Sequence, residues 1–173
     1  MKISVSVYSF HQAIKQGIMT QMDCIKKAKE LGFSGIEFTE IDGAPDFDVQ
    51  IENAKKLREE AKRCDMEIVA YAIGAVLYQD TPAASQAEID RLKREVDIAK
   101  ALGAPVMRHD VCYELGKSGN ARSFDLMLPT IAENIRAVTE YAMQQGIRTC
   151  TENHGFIAQD SDRMERLFHA VNH

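Results

Sequence analysis

A helix, a turn and a strand follow one another within residues 28–38, which read AKELGFSGIEF. Apolar residues before Gly32 recur at the spacing of one helix face, and Gly32 suits the position just past a helix end, where the backbone turns left-handed. The short apolar run Gly35–Phe38 then predicts a strand. The helix is predicted over Met22–Leu31, and its apolar face comprises Met22, Ile25, Ala28 and Leu31. This stretch therefore predicts one helix-to-strand step of an α/β fold.

The same step recurs along the whole chain. Further helices are predicted where apolar residues fall at helical spacing, over 54–64, 85–102, 128–142 and from 160 onward. The predicted strands are Ile3–Tyr8, Gly35–Phe38, Glu67–Ile73, Pro105–His109 and Ile147–Thr151. Strands that alternate with helices of this length indicate right-handed βαβ crossovers and a parallel sheet. The sequence therefore predicts five strands and five helices.

Two helix starts carry the pattern of a capping box, in which a Ser or Thr and an acidic residue three positions later satisfy each other's backbone N–H groups. Thr20 and Asp23 form this pattern ahead of the first predicted helix, and Ser85 and Glu88 form it ahead of the third. We therefore expect these helices to begin just after Thr20 and just after Ser85.

Two architectures contain a parallel βα repeat, an open doubly wound sheet and a closed barrel. An open sheet that binds nucleotides usually has a glycine-rich phosphate loop after its first strand. Here the corresponding residues are Ser9-Phe10-His11-Gln12, without a G-x-G-x-x-G or Walker pattern. This favours the barrel and keeps the open sheet as the alternative.

Composition and charge narrow the classes of function. The 173 residues carry a net charge of -5, which disfavours a protein whose main task is to bind nucleic acid. No run approaches the roughly 20 apolar residues that span a bilayer, so no membrane segment is expected. The four cysteines include no C-x-x-C pair, and the N-terminus lacks the pattern of a secretion signal. We therefore expect reduced thiols and a cytoplasmic location.

Polar residues cluster where the predicted strands end, which is where a βα fold builds its site. Glu37 lies in the second strand, Arg108 and His109 close the fourth, and Glu152 and His154 follow the fifth. We take Glu37, Arg108, His109 and His154 as candidate substrate-binding residues. A hydrogen-bonded structural role remains open for His109.

Glu152 is the strongest single candidate for chemistry. It closes an apolar strand, and a buried carboxylate that lacks a partner is costly. A divalent cation would satisfy it, and Glu and His are ligands that suit zinc, manganese or iron. A structural ion pair with Arg108 on the neighbouring strand would satisfy it equally well. The spacing leaves both interpretations open.

Three stretches carry a resemblance to a known family. They are Lys2–Phe10 (KISVSVYSF), Ala28–Phe38 (AKELGFSGIEF) and Thr151–Gly155 (TENHG). They resemble the xylose-isomerase-like TIM barrel superfamily and, within it, the sugar phosphate isomerase/epimerase group. The resemblance covers the whole chain in order. It implies that the chain is the N-terminal part of a (β/α)₈ barrel.

The resemblance also implies a divalent metal of the Mn, Zn or Mg class. Its ligands would be a Glu from strand five, an Asp from strand six, a His from strand seven and a Glu from strand eight. Glu152 matches the first, as metal ligand and catalytic residue, and the other three have no counterpart here. Because such a barrel has about 250 residues, we expect one partial domain over 1–173 with about five βα units. This chain alone need not hold the metal.

A partial barrel would leave its first and fifth strands with unpaired edges and exposed apolar faces. We therefore expect the chain to associate with a second copy that covers these edges. A marginally stable monomer is the alternative, and sedimentation distinguishes the two.

The resemblance implies an enzyme that interconverts sugars or sugar phosphates by metal-assisted proton transfer next to a carbonyl. Glu152 would be the metal ligand, with Glu37, Arg108, His109 and His154 around the sugar. A dehydratase or a phosphodiester-cleaving enzyme could use the same barrel. The acidic charge disfavours the phosphodiester substrate. The competing hypothesis is a catalytically silent barrel fragment without a complete metal site.

Overall fold

The structure, a computed structural model, describes residues 1–113 and 123–173. Strands and helices alternate along it. The strands are β1 (Ser4–Ser6), β2 (Gly35–Thr39), β3 (Glu67–Ile73), β4 (Val106–His109) and β5 (Arg148–Thr151). The helices are α1 (His11–Lys15), α2 (Gln21–Glu30), α3 (Phe47–Arg63), α4 (Pro82–Leu102), α5 (Phe124–Gln144) and α6 (Ser161–Val171). The five predicted strands all form, within a few residues of their predicted bounds.

The strand order decides between the two architectures. The sheet runs β1-β2-β3-β4-β5, and the pairs β1–β2 and β2–β3 are parallel. In a doubly wound sheet the order reverses at a switch point, whereas in a βα barrel each strand lies beside its predecessor in the chain. The observed order is that of the barrel.

The first strand is shorter than predicted. It ends at Ser6, and a 3₁₀ helix over Val7–Phe10 leads directly into α1. The Ser6 hydroxyl accepts a hydrogen bond from the Tyr8 backbone N–H at 3.3 Å, which turns the chain out of the strand. The prediction of a strand to Tyr8 is therefore wrong at its end, and His11 begins the short helix α1.

Of the two predicted capping boxes, one is confirmed and one is wrong. Thr20 and Asp23 cap α2 reciprocally, as predicted. The helix α4 begins at Pro82, so Ser85 lies inside its first turn, and the Thr81 hydroxyl accepts from the Ala84 N–H at 3.2 Å. Because proline lacks an N–H and has a preset φ, it suits the first position of a helix.

The chain divides into two compact units. The first comprises Met1–Ala72 and Val96–Met107. Its core holds fully buried side chains from β2, β3 and the inner faces of α2 and α4, among them Ile25, Phe38, Tyr71, Ile98 and Leu102. The single-domain boundary of 1–173 stays a prediction.

The second unit comprises Ile73–Glu95 and Arg108–His173. The helix α5 buries Met127, Ile131 and Val138 in its core. Buried Asn134 donates from Nδ2 to the Leu77 carbonyl at 2.9 Å, so the polar amide has a partner. Two of the last α6 carbonyls, those of Ala170 and Val171, accept hydrogen bonds from Arg136 at 2.9 and 3.0 Å.

No helix among the described residues has the length and apolar character needed to cross a membrane.

Candidate active site

The candidate site forms where β4 and β5 end, within the second unit. The Glu152 N–H donates to the His109 carbonyl at 3.1 Å, so strand pairing extends one residue past β5. The Asp110 N–H donates in the same way to the Ile73 carbonyl at 3.3 Å. Backbone pairing therefore sets the positions of both acidic residues.

Four side chains meet there, and we call Arg108, Asp110, Glu152 and His154 the charged cluster. One guanidinium nitrogen of Arg108, Nη1, lies 2.8 Å from Asp110 Oδ1 and 2.8 Å from Glu152 Oε2. The second carboxylate oxygen of Asp110 lies 3.2 Å from His154 Nδ1. The side chains of Asp110 and Arg108 are 19% and 25% exposed, whereas that of Glu152 is 44% exposed. The cluster is therefore continuous, with Arg108 and Asp110 half-buried and Glu152 and His154 exposed.

Asp110 is the member of the charged cluster that was absent from the predicted site residues. It contacts both Arg108 and His154, and so joins the residues of β4 to the loop after β5. The sequence feature that could have identified Asp110 is its position directly after Arg108 and His109 at a strand end. Sequence alone does not show that a residue just past a strand turns back to contact the next loop.

His109 lies in the core beside the charged cluster and contacts the backbone. It is 1% exposed, and its Nδ1 lies 2.8 Å from the Asp110 carbonyl oxygen. Because a carbonyl only accepts, Nδ1 carries the proton and Nε2 is a bare acceptor. Nε2 is buried without a hydrogen-bond partner among the described residues. Burial lowers the pKa of this imidazole, which keeps it neutral near pH 7.

His109 is expected to make folding sensitive to acid. An unfolded histidine gains its proton below about pH 6.5, but burial lowers the pKa of His109 in the folded chain. Below that pH the unfolded state therefore binds more protons, and the free energy of unfolding falls by up to about 1.4 kcal/mol per pH unit. Urea unfolding at pH 7 and pH 5 measures the decrease in the free energy of unfolding between the two pH values. We expect a smaller decrease in His109→Gln than in the unsubstituted chain. An equal decrease in His109→Gln and the unsubstituted chain would contradict the role of His109. His169→Gln, at an exposed histidine, serves as the control.

The loop after β3 is fastened beside the charged cluster by two residues of α4. Arg91 donates to the Gly74 carbonyl at 2.8 Å, and Glu88 accepts from the Val76 N–H at 2.9 Å. Arg91 and Glu88 also bind each other at 2.8 Å. A side-chain carbon on Gly74 would lie 3.8 Å from Asp110 Oδ2. Glu88, predicted as part of a capping box, therefore positions a loop next to the site.

Glu37 belongs to the first unit. It is half-buried on β2, where its register partners are Ser6 on β1 and Ala70 on β3. The pairing of β2 with β3 shifts register between Ile36 and Glu37. Its predicted role in substrate binding stays a prediction.

The described residues do not by themselves fit the metal that the resemblance implied. Among residues 1–113 and 123–173, no three His, Cys, Asp or Glu side chains lie close enough to hold one ion. Glu152 offers a single carboxylate, and that carboxylate is paired with Arg108. Zinc sites in proteins use three or four protein ligands.

The chain belongs to the xylose isomerase-like TIM barrel family. The model of that family matches residues 25–173, which is most of the chain. The five parallel strands in chain order, alternating with helices, are the TIM-barrel type of α/β fold. This confirms the predicted fold class and the resemblance. No curated protein matches the chain.

Solved structures show the same fold at low sequence identity. A sugar phosphate isomerase/epimerase from Parabacteroides distasonis has a TM-score of 0.65 and 14% identity, over 98% of this chain and 61% of that one. L-ribulose 3-epimerase has a TM-score of 0.77 and 13% identity, over 100% of this chain and 58% of that one. The 3-keto-D-glucoside 4-epimerase from E. coli has a TM-score of 0.66 and 14% identity, over 88% of this chain and 59% of that one. The chain therefore spans about 60% of the length of these proteins.

Proposed function

We propose that the protein of which this chain forms five βα units is a sugar isomerase or epimerase that moves a proton next to a carbonyl. The observation that carries the proposal is the charged cluster, which lies where β4 and β5 end in a barrel of the xylose isomerase-like family. Active sites of TIM-barrel enzymes lie at this end of the strands. The epimerases among the structural neighbours support the choice of substrate class.

The side chains present suit a polyhydroxy substrate. Asp110 and Glu152 can accept hydrogen bonds from substrate hydroxyl groups, while Arg108 holds both carboxylates at defined positions. His154 offers its second ring nitrogen beside them, since Nδ1 faces Asp110. A carboxylate held in this way can also take up or return a proton at the carbon next to a carbonyl. Glu152 is the residue we propose for that role.

We propose that Glu152 is also one ligand of a divalent metal whose other ligands come from residues outside this chain. The described residues supply too few ligands alone. A metal bound there would stabilise the negative charge that develops on the substrate oxygens. The codons that follow His173 in the gene give the first test, since an Asp, a His and a Glu closing three further strands are expected.

Solvent exchange tests the proposed activity directly. We expect ketoses incubated in D₂O with Mn²⁺ and the whole protein of which this chain forms five βα units to gain deuterium at the carbon next to the carbonyl, read by proton NMR. Glu152→Gln should slow this exchange at least about a hundredfold. Glu165→Gln, an exposed substitution on α6, is the matched control and should leave the rate unchanged. Equal rates in both variants would overturn the role of Glu152, and no exchange in any protein would overturn the proposed activity.

The competing proposal is that these 173 residues by themselves are catalytically silent. The Glu152–Arg108 ion pair favours it, because the carboxylate has a partner without any metal. Metal analysis after dialysis against Mn²⁺ or Zn²⁺ separates the two proposals. One metal per chain that is lost in Glu152→Ala supports a working site in this chain, whereas no retained metal supports the silent fragment.

We further propose that these 173 residues, taken by themselves, associate with a second copy along β5. This strand is last in the sheet order, and a groove of about 310 Å³ lies beside it. The groove is lined by Thr149, Cys150, Met164 and Phe168, among others, and Phe168 is 75% exposed. The exposed apolar side chains of this groove favour burial against another chain.

Sedimentation velocity over a range of concentrations tests the association. We expect a concentration-dependent dimer, and we expect Phe168→Ser to weaken it at least about tenfold because the exposed ring would be buried on association. Phe156→Ser, at a different exposed ring, is the control. A monodisperse monomer at all concentrations would count against the proposal.

The four cysteines, all of which the structure describes, form no disulfide, and on that basis we propose a cytoplasmic location.

A further inference from the structure

Two large aromatic side chains lie exposed and in contact beside the charged cluster. Tyr113 is 57% exposed and Phe156 is 64% exposed. Their ring centroids are 5.5 Å apart and the ring planes meet at 72°, so the rings form a corner. Scattered apolar residues are normal on a protein surface, but adjacent exposed rings suggest a binding surface. We call Tyr113 and Phe156 the aromatic corner.

The backbone holds the aromatic corner in place. The Phe156 N–H donates to the Tyr113 carbonyl at 2.9 Å. Gly155 brings the two loops so close that a side-chain carbon there would lie 2.9 Å from the Tyr113 Cα. Buried Cys112 precedes Tyr113, and buried Ile157 follows Phe156. Because the backbone at both positions is already held together, a ligand would have to order only the two side chains.

His154 connects the aromatic corner to the charged cluster. Its ring lies edge-on to Tyr113 with centroids 6.3 Å apart, and its Nδ1 faces Asp110 at 3.2 Å. Apolar rings and hydrogen-bonding groups are therefore continuous over one surface of the second unit. Small-molecule sites combine aromatic walls with a few fixed polar groups in this way.

The combination selects the chemistry of the ligand. A sugar ring has an apolar C–H face and a rim of hydroxyl groups, which match the aromatic corner and the carboxylates respectively. The charged cluster contains two carboxylates, on Asp110 and Glu152, one guanidinium, on Arg108, and the imidazole of His154, whose Nδ1 faces Asp110. The two carboxylates disfavour an anion at this position. A phosphate group would also have to compete with both carboxylates for Arg108.

We propose that the aromatic corner binds the C–H face of an uncharged sugar ring while the charged cluster binds its hydroxyls. The inference rests on the proposed sugar isomerase or epimerase function and adds a substrate subsite to it. It assigns Tyr113 and Phe156 as residues that contact the substrate.

The test compares a cyclic sugar with its acyclic counterpart. The 173-residue chain, labelled with ¹³C in the Tyr and Phe rings, is titrated with D-fructose, with sorbitol and with fructose 6-phosphate. We expect D-fructose to shift the ring signals of Tyr113 and Phe156 saturably. Sorbitol, which has no ring face, and fructose 6-phosphate, which carries an anion, should shift them less at equal concentration.

Variants locate the binding. Phe156→Ser should raise the dissociation constant for D-fructose about threefold to tenfold, since an aromatic contact contributes that much. Phe156→Leu, which keeps the apolar bulk without the aromatic face, should weaken binding as well and stands in if the serine variant unfolds. Leu126→Ser, at an exposed apolar side chain of α5, is the control and should bind normally. Equal shifts with sorbitol, or equal affinity in Phe156→Leu and the unsubstituted chain, would overturn the proposal.

Binding and exchange readouts separate this proposal from the proposed activity. Saturable D-fructose binding at the aromatic corner, together with no deuterium exchange by the whole protein of which this chain is a part, supports the subsite and contradicts the isomerase or epimerase function. Deuterium exchange by the same whole protein, with a KM for D-fructose that is unchanged by Phe156→Leu, supports the isomerase or epimerase function and overturns the subsite.

Discussion

Replacing Arg108 with leucine is expected to lower the free energy of unfolding by about 2 to 3 kcal/mol at pH 7. The guanidinium Nη1 is the shared partner of two carboxylates, each at 2.8 Å. Asp110 is only 19% exposed, so its charge would remain in a poorly solvated position without its cation. Glu152 is 44% exposed and contributes less, because water screens a carboxylate at that exposure.

Urea unfolding followed by circular dichroism measures the loss in Arg108→Leu. The matched control is Arg94→Leu on α4, an exposed position where the change should stay within about 0.5 kcal/mol. Combining Arg108→Leu with Asp110→Asn should recover part of the stability, because the carboxylate left without a cation becomes a neutral amide. Equal losses in Arg108→Leu and Arg94→Leu would show that the charged cluster does not stabilise the fold.

Replacing Gly155 with alanine is expected to lower the free energy of unfolding by about 2 to 4 kcal/mol, from two separate causes. The backbone of Gly155 has a φ of 76°, in the left-handed region that disfavours a side chain. In addition, the new carbon would meet the Tyr113 Cα at 2.9 Å and the Cys112 carbonyl oxygen at 3.2 Å. Both neighbours are backbone atoms, so neither can rotate away.

Gly146 provides a control that isolates the steric cause. Its φ is 75°, almost the same, but a side-chain carbon there would have nothing within 4 Å. Gly146→Ala should therefore show only the backbone cost, about 1 to 2 kcal/mol. Thermal unfolding of the two variants measures the difference between their losses in the free energy of unfolding. That difference is the cost of forcing the loops after β4 and β5 apart. Equal losses at both positions would mean that the contact between the loops yields without cost.

The arrangement of the elements was predictable because it depends on local patterns. The helix that ends before Gly32 and the strand that follows are both set by short-range spacing, and Gly32 has the expected positive φ of 88°. The end of β1 was not predictable, because a single hydroxyl of Ser6 turns an apolar run into a 3₁₀ helix. The role of Glu88 was likewise not predictable from local spacing. Its carboxylate accepts from the Val76 N–H in the loop after β3, and Arg91, which it binds, donates to the Gly74 carbonyl in the same loop.

The candidate site was predictable in its location and only partly in its contacts. The ends of parallel strands meet at one edge, so Arg108 and Glu152 were expected as neighbours, and the ion pair forms. The contact of Asp110 with His154 depends on how two loops fold after their strands end, which strand periodicity does not determine. The aromatic corner likewise requires the tight approach at Gly155, a contact between residues more than forty positions apart.

The strand order β1-β2-β3-β4-β5 has a consequence for how the chain is made. Each new strand finds the edge that it pairs with already synthesised, because its neighbour is the strand just before it. Each pairing between neighbouring strands therefore closes a loop of only one βα unit, which keeps the entropic cost of each pairing small. A sheet whose first strand paired only with a much later one would instead leave that edge waiting in solution while the rest of the protein emerged.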